Sequence, residues 1–226
     1  MRKSIIIILL LAAILLTACT ETAPDPTPAP EQSAEPTAVP TATPEPSETP
    51  APTEQVMKGP YYIKVNNRCN TVTVYSVGDD GELTPCKAMV CSTGTATPKS
   101  GVFELTWQGK WEWLALFGDV FGQYCTQIDG NILFHSVPYM REGDKGSLEY
   151  WQFDQLGTAC SMGCIRLQVI DAKWIFDNRE DITAVEFYSD DDPGPLGKPV
   201  PPNIGGNVEL RGWDPSDPDP ANPWKK

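Results

Sequence analysis

One histidine, His135, is present in 226 residues. A His-rich zinc or iron centre cannot be assembled from a single imidazole, so no metal is expected, and no cofactor either. Positive charge is also scarce: 17 Lys and Arg stand against 30 Asp and Glu, for a formal net charge of −13. Without a basic cluster nothing neutralises a phosphate backbone, which excludes nucleic acid as a partner. Proline is sparse in one stretch only. Residues 58–188 hold 4 of the 23 prolines, whereas 20–57 hold 10 with seven acids and no base, and 189–226 hold nine with seven acids and four bases. The middle stretch alone has the composition of a globular domain, and it is long enough to bury a core.

The N-terminus reads as an export signal. Arg2 and Lys3 precede an apolar run over 5–16, followed by Thr17-Ala18-Cys19, the basic, apolar and small-residue order of a secretory signal. Residues 16–19 resemble a bacterial lipobox, which implies that 1–18 are removed and that Cys19 is lipidated; an uncleaved membrane anchor is the alternative. Residues 19–57, rich in Pro, Thr and Glu, cannot repay their own ordering entropy and read as an extended tether with a reach of roughly 120 Å at about 3.1 Å per residue. These features place the domain outside the cytoplasm, lipid-anchored on the outer face of a bacterial cytoplasmic membrane and reaching into the cell wall.

Residues 58–188 read as mostly strands. The β-branched and aromatic runs 61–66 and 71–77 flank the hairpin signal Asn67-Arg68-Cys69-Asn70, and Asp79-Asp80-Gly81 turns into a third run over 87–91. Runs over 101–107, 123–128, 131–137 and 184–188 continue the pattern. Two short helices fit between them, 148–156 closing on Gly157 and a second capped by Asp171 and running through Asn178. A mainly β domain, sandwich-like or barrel-like with short helices, is the expected fold, with no internal repeat.

The chemistry-bearing residues fall in three segments: 92–101, Phe134-His135-Ser136-Val137-Pro138, and Ala159-Cys160-Ser161-Met162-Gly163-Cys164-Ile165-Arg166-Leu167. Thiol catalysis needs a thiolate, a base, something to hold the base and amide donors for an oxyanion. Cys164 is the candidate nucleophile, Gly163 lets the backbone approach a substrate, and His135 is the candidate base. Ser161-Met162-Gly163-Cys164-Ile165-Arg166 and Phe134-His135-Ser136, with Ser92-Thr93-Gly94 and Thr97 to Gly101 upstream, resemble the signature of the YkuD-type L,D-transpeptidase catalytic domain family. The resemblance spans about 61–188 and implies an L,D-transpeptidase-like β-sandwich and a peptidoglycan substrate. On that resemblance Cys164 attacks the third residue of a donor stem peptide, the amine of an acceptor stem resolves the thioester into a 3→3 cross-link, and carbapenems acylate the same thiol. It further implies that His135 is the general acid and base, that the Ser136 carbonyl orients it, that Gly163 contributes an oxyanion amide, and that Arg166 holds the loop or a substrate carboxylate. Met162 departs from the family's usual second His, and the stretch 136–160 is longer than the common spacing, with 139–151 reading as an inserted lid or substrate wall.

Rival readings are L,D-carboxypeptidase trimming, a sortase-like thiol transpeptidase, and a non-catalytic envelope-binding lipoprotein. Arg166 lies too close to Cys164 for a sortase, and papain-like peptidases place Cys before His. Cys69, Cys86, Cys91, Cys125 and Cys160 leave an odd number of unassigned thiols. The proposed hairpin register puts Cys69 near Cys91, and a Cys160–Cys164 bond is sterically conceivable. The acidic tail over 189–226 carries Trp213 and Trp224, which are expected to dock on the domain, and a monomer is favoured.

Overall fold

The computed structural model describes residues 60–105 and 109–226. The signal, lipobox and tether readings, with Cys19, lie outside the described residues, as do Thr106 and Trp107. Among the described residues no helix is long and apolar enough to cross a membrane.

The chain is mainly β, as its sequence pattern leads one to expect. Strands β1 (Tyr61–Asn66) and β2 (Thr71–Val77) form the antiparallel hairpin, turning over residues 67–70. β1 alternates as a strand with one core face should: Tyr61, Ile63 and Val65 are buried, while Tyr62 and Lys64 are half-exposed. β3 (Leu83–Ser92) pairs antiparallel with β2 and is longer than the run read from sequence, because a register shift beside Tyr75 accommodates Pro85. β4 (Gly101–Glu104), β5 (Lys110–Leu116), β6 (Val120–Asp129), β7 (Ile132–Ser136), β8 (Ile165–Leu167) and β9 (Ile182–Tyr188) complete one continuous, curled order, β4-β9-β1-β2-β3-β8-β7-β6-β5.

Two strands escape the sequence reading. β5 alternates Trp111 and Trp113 with charged neighbours and meets β6 through a turn in which Gly118 and Asp119 take positive φ, so its signal was available. β8 is only three residues long and too short to show a period. Yet β7 and β8 are parallel, and a parallel pair requires a long crossover. Residues 137–164 make that crossover and return the chain beside His135.

The helices differ from expectation in extent and capping. α1 spans only Tyr150–Phe153, followed by turns up to Gly157, whose φ is +92°. α2 spans Val169–Asp177 and packs against β6 and β7, with Ile175 buried and Trp174 against Tyr61. Asp171 does not cap it: that residue lies inside the first turn and pairs with Lys87 at 2.9 Å. The N-terminus is instead satisfied from the tail, with the Val169 N–H donating to Asp214 Oδ2 at 2.8 Å and the Ile170 N–H to Ser216 Oγ at 3.1 Å.

Within the tail, burial is deepest at Ile204, Asp214, Asp217 and Asn222 rather than at the two tryptophans. Asn222 donates to the carbonyls of Asp214 and Asp217, and the Trp224 indole donates to the Leu210 and Trp213 carbonyls. Segment 139–151 is folded against this tail, since the Leu148 N–H donates to the Gly212 carbonyl at 2.9 Å and a Cβ on Gly212 would lie 2.4 Å from the Gly146 carbonyl oxygen. Burial pushes the Asp214 carboxyl up to about 6, against the amide and hydroxyl donors that hold it ionised. Asp214→Ala, which orphans the Val169 amide and the Ser216 hydroxyl, is expected to cost about 2 kcal/mol in urea unfolding. Asp214→Asn, which keeps an acceptor, should recover most of that loss.

Candidate active site

The loop before β8 is strapped to residues 93–97 by backbone contacts. Gly94 forms a parallel bridge with Ser161, and a Cβ at position 94 would lie 2.0 Å from the Ser161 carbonyl oxygen. Only glycine permits this approach. The Ser161 N–H donates to the Thr93 carbonyl (3.0 Å), and the Ala96 N–H donates to the Met162 carbonyl (2.9 Å). The buried Thr97 hydroxyl accepts from the Gly94 N–H (2.8 Å) and donates to the Gly163 carbonyl (2.6 Å). The Ser161 hydroxyl donates to the Cys164 carbonyl (2.6 Å). Three successive carbonyls, of residues 162 to 164, are thus held by the protein. Gly163 is itself tightly packed, since a Cβ there would meet Ala96 Cβ at 3.0 Å and Ile132 Cδ1 at 3.1 Å.

The strand ladder then fixes which side chains meet. His135 is paired with Arg166 in the parallel β7–β8 register, and paired residues point to one face of a sheet. Cys164, two residues before Arg166, points the same way. All three line one cleft of about 530 Å³. Its other walls are Ser161, Met162 and Gly163 of the loop, Gly130 and Asn131 of the β6–β7 turn with Ile132 and Leu133 of β7, and the β5–β6 hairpin with Trp111, Leu114, Phe117 and Val120. Segment 139–151, read from sequence as a lid, contributes no residue to this lining; the hairpin missed from sequence forms the wall instead. Met162 is exposed at the rim. Ser136 is fully buried, its carbonyl oxygen 2.6 Å from His135 Nδ1 and its hydroxyl accepting from the Gln123 N–H at 2.9 Å.

The model of the YkuD L,D-transpeptidase catalytic domain matches residues 60–200. The chain belongs to that family. The Bacillus subtilis (strain 168) protein YciB, whose name places it among the L,D-transpeptidases, is 33% identical over 91 residues, 40% of this chain and 45% of that protein. Among solved structures, a fused Zn-dependent amidase/peptidase/peptidoglycan-binding-domain protein from Clostridium acetobutylicum ATCC 824 is similar at 27% identity and a TM-score of 0.40, covering 57% of this chain and 52% of the other. An L,D-transpeptidase from Mycobacterium smegmatis is similar at 19% identity and 0.42, covering 58% and 59%. The chain therefore spans about half the length of the relatives it matches.

In this YkuD domain the tautomer of His135 follows from its contact. A carbonyl oxygen only accepts, so Nδ1 carries the proton and Nε2 keeps its lone pair. Burial lowers the His135 pKa to about 4, with the Arg166 charge adding to the effect and the Ser136 contact opposing it. Burial likewise raises the Cys164 pKa above the ordinary thiol value, against a Leu133 amide and the Arg166 charge. The thiol donates to the Asn131 carbonyl at 3.3 Å. Both groups are consequently neutral near pH 7, because the imidazole gains its proton only as pH falls towards about 4 and the thiol loses its own only above the usual thiol range.

The remaining described cysteines are also free thiols. Cys69 points at the Asp190 carbonyl (3.2 Å), whereas Cys91 is fully buried, so the backbone proximity read from the hairpin does not bring their sulfurs into a bond. Cys160 and Cys164 are both unbridged. Cys125 is buried, with its thiol pushed up to about 12.

Thiolate ultraviolet absorbance, measured as wild type minus Cys164→Ala, is expected to be zero near pH 7 and to appear only in alkali. A full thiolate signal at neutral pH would show a resting ion pair and contradict the neutral one.

Proposed function

We propose that this domain is a peptidoglycan L,D-transpeptidase acting through a Cys164 thioester. The observation that carries the reading is the convergence of Cys164, His135 and Arg166 on one cleft, with Nδ1 of His135 committed to the Ser136 carbonyl so that Nε2 is the basic nitrogen. In the first half-reaction the Cys164 proton passes to Nε2 and the sulfur bonds to the carbonyl carbon of the third stem residue. The oxyanion that forms is held by the amides of Gly163 and Cys164, each worth about 10² to 10³ in rate by analogy with other acyl transfers. The peptide C–N bond then breaks, and the terminal D-Ala leaves as its amine takes the proton from His135.

In the second half-reaction the amine of an acceptor stem attacks the thioester. His135 takes that amine's proton and returns it to the departing sulfur, which leaves a 3→3 cross-link and the free thiol. A buried imidazole is a weak base but a strong acid once charged, which favours protonating the departing amine. Thiolate formation is the uphill step, and His135 is within the same cleft to bear it. Met162, an exposed thioether at the rim, supplies no second imidazole, so a single base serves both halves of the cycle. On the lipobox reading of residues 16–19, the proposed activity belongs at the outer face of the cytoplasmic membrane.

Intact-mass spectrometry of the full-length protein after incubation with a carbapenem is expected to show one adduct on wild type and none on Cys164→Ala. His135→Gln should slow its formation by about 10² to 10⁴. An adduct that survives in Cys164→Ala, or its absence from folded, reduced wild type, would overturn the reading.

A further inference from the structure

Gly163 precedes the candidate nucleophile, and a residue without a Cβ restrains least the two peptide units it joins. Rotation about its φ swings the unit that carries the Met162 carbonyl and the Gly163 N–H. Rotation about its ψ swings the unit that carries the Gly163 carbonyl and the Cys164 N–H. In a planar trans peptide the carbonyl and the N–H point in opposite directions, so whatever holds the oxygen also aims the amide. Both oxygens are held from residues 95–97. The Met162 carbonyl accepts from the Ala96 N–H at 2.9 Å and from the Thr95 hydroxyl at 3.3 Å, and the Gly163 carbonyl accepts from the Thr97 hydroxyl at 2.6 Å.

The two N–H groups thereby face away from this strap. Neither has a hydrogen-bond acceptor among the described residues, although Gly163 is buried and both residues line the cleft. Buried backbone donors without a partner are rare in folded chains. These two mark a place for an oxygen that arrives with the substrate. Thr97, for its part, has one orientation open to it. Its hydroxyl lies between the Gly94 N–H, which only donates, and the Gly163 carbonyl, which only accepts, so its proton is committed to that carbonyl. With 2% of its surface exposed, it meets no bulk water that could compete. Gly94 is fixed in turn, its own carbonyl accepting from Lys99 Nζ at 3.1 Å.

Resting on the thioester reading of Cys164, we propose that Thr97 is a positioning residue: by holding the Gly163 carbonyl it aims the Cys164 N–H at the oxygen of the acyl group. Thr97 lies outside the cleft lining, so it acts only through the peptide unit it holds. Without the hydroxyl, the Gly163 carbonyl is left unpaired and its unit turns to find another donor, which swings the Cys164 N–H off its target. A hydrogen bond weakens steeply as its angle closes, and the loss is greatest in the transition state, where the oxygen carries most charge.

The test acylates the full-length protein with a carbapenem isotopically labelled at its ring carbonyl carbon. The Cys164 sulfur bonds to that carbon, the ring C–N bond opens and the nitrogen takes the thiol proton, leaving a thioester carbonyl that isotope-edited infrared difference spectroscopy reads. Hydrogen bonds to a carbonyl oxygen lower its stretching frequency. The wild-type band is expected below that of the same thioester made on a small thiol in water. Thr97→Val, nearly the same shape without the hydroxyl, should raise the band. It should also cut kcat for release of D-alanine from a tetrapeptide donor by about tenfold to hundredfold, with little change in KM. Thr97→Ser should keep the wild-type band and most of the rate. Lys99→Met, which loosens the strap at Gly94 without touching residues 162–164, should leave the band in place. A Thr97→Val protein with a lower urea midpoint but the wild-type band and kcat has lost packing alone and overturns the inference, as does an equal band shift in Thr97→Ser or Lys99→Met. A wild-type band no lower than that of the solution thioester overturns it without any variant having to fold. Wild type that forms no adduct defeats the thioester reading and this inference with it.

Discussion

The buried hydroxyl of Thr97 is the point where the reactive loop is tied to the fold. It accepts a hydrogen bond from the Gly94 amide and donates one to the Gly163 carbonyl, so one side chain ties two segments of a close backbone contact together. Gly94 makes that contact possible by lacking a Cβ, and the Ser161 and Ala96 amides complete it. The start of the strap is in turn held by Asn70 Oδ1, which accepts from the Thr93 amide and hydroxyl in the turn between β1 and β2. A hairpin far along the chain from Cys164 therefore decides where the Cys164 backbone sits. Because the carbonyls of the loop are satisfied on the protein side, its reactive face is free to be shaped by the β7–β8 ladder.

That ladder carries a cost in charge. Burying an imidazole and half-burying a thiol pushes both towards their neutral forms, and a third group, the half-buried Arg166, resists a proton on His135 while favouring the thiolate. The site accordingly separates its tasks. Orientation is supplied by neutral dipoles, the Ser136 carbonyl for His135 and the Gln152 amide for Arg166, and charge is confined to one guanidinium. The same economy appears at α2, whose first amide groups are met by the buried Asp214 and by Ser216 rather than by a residue of the helix itself.

The strands carried by β-branched and aromatic runs, β1, β2, β4, β6, β7 and β9, were legible from residue pattern, and the segments 92–101, 134–138 and 159–167 were joined by their resemblance to a family signature. What was not legible has physical causes. β8 is too short to show a period, and its place is dictated by a parallel partner remote in sequence. The segment 139–151 looked like a lid because it is polar, glycine-rich and aromatic, but it meets a tail that is held to the domain by Asp214 at the start of α2, by Ile204 in the core and by Trp224 packed against that core. The cleft wall is the β5–β6 hairpin, whose alternation of tryptophan with charge could have revealed it. Gln152 has no local signature at all, because its meaning lies in a contact across the crossover.

The account stands or falls on what bond Cys164 makes with a stem peptide. The most direct measurement is rapid-quench intact-mass spectrometry of the full-length protein with a tetrapeptide donor and no acceptor, followed by peptide mapping. The predicted result is a covalent adduct on Cys164 whose mass is that of the donor less its terminal alanine. An adduct on another cysteine, or turnover of the donor with no covalent species in wild type and none lost in Cys164→Ala, would contradict it.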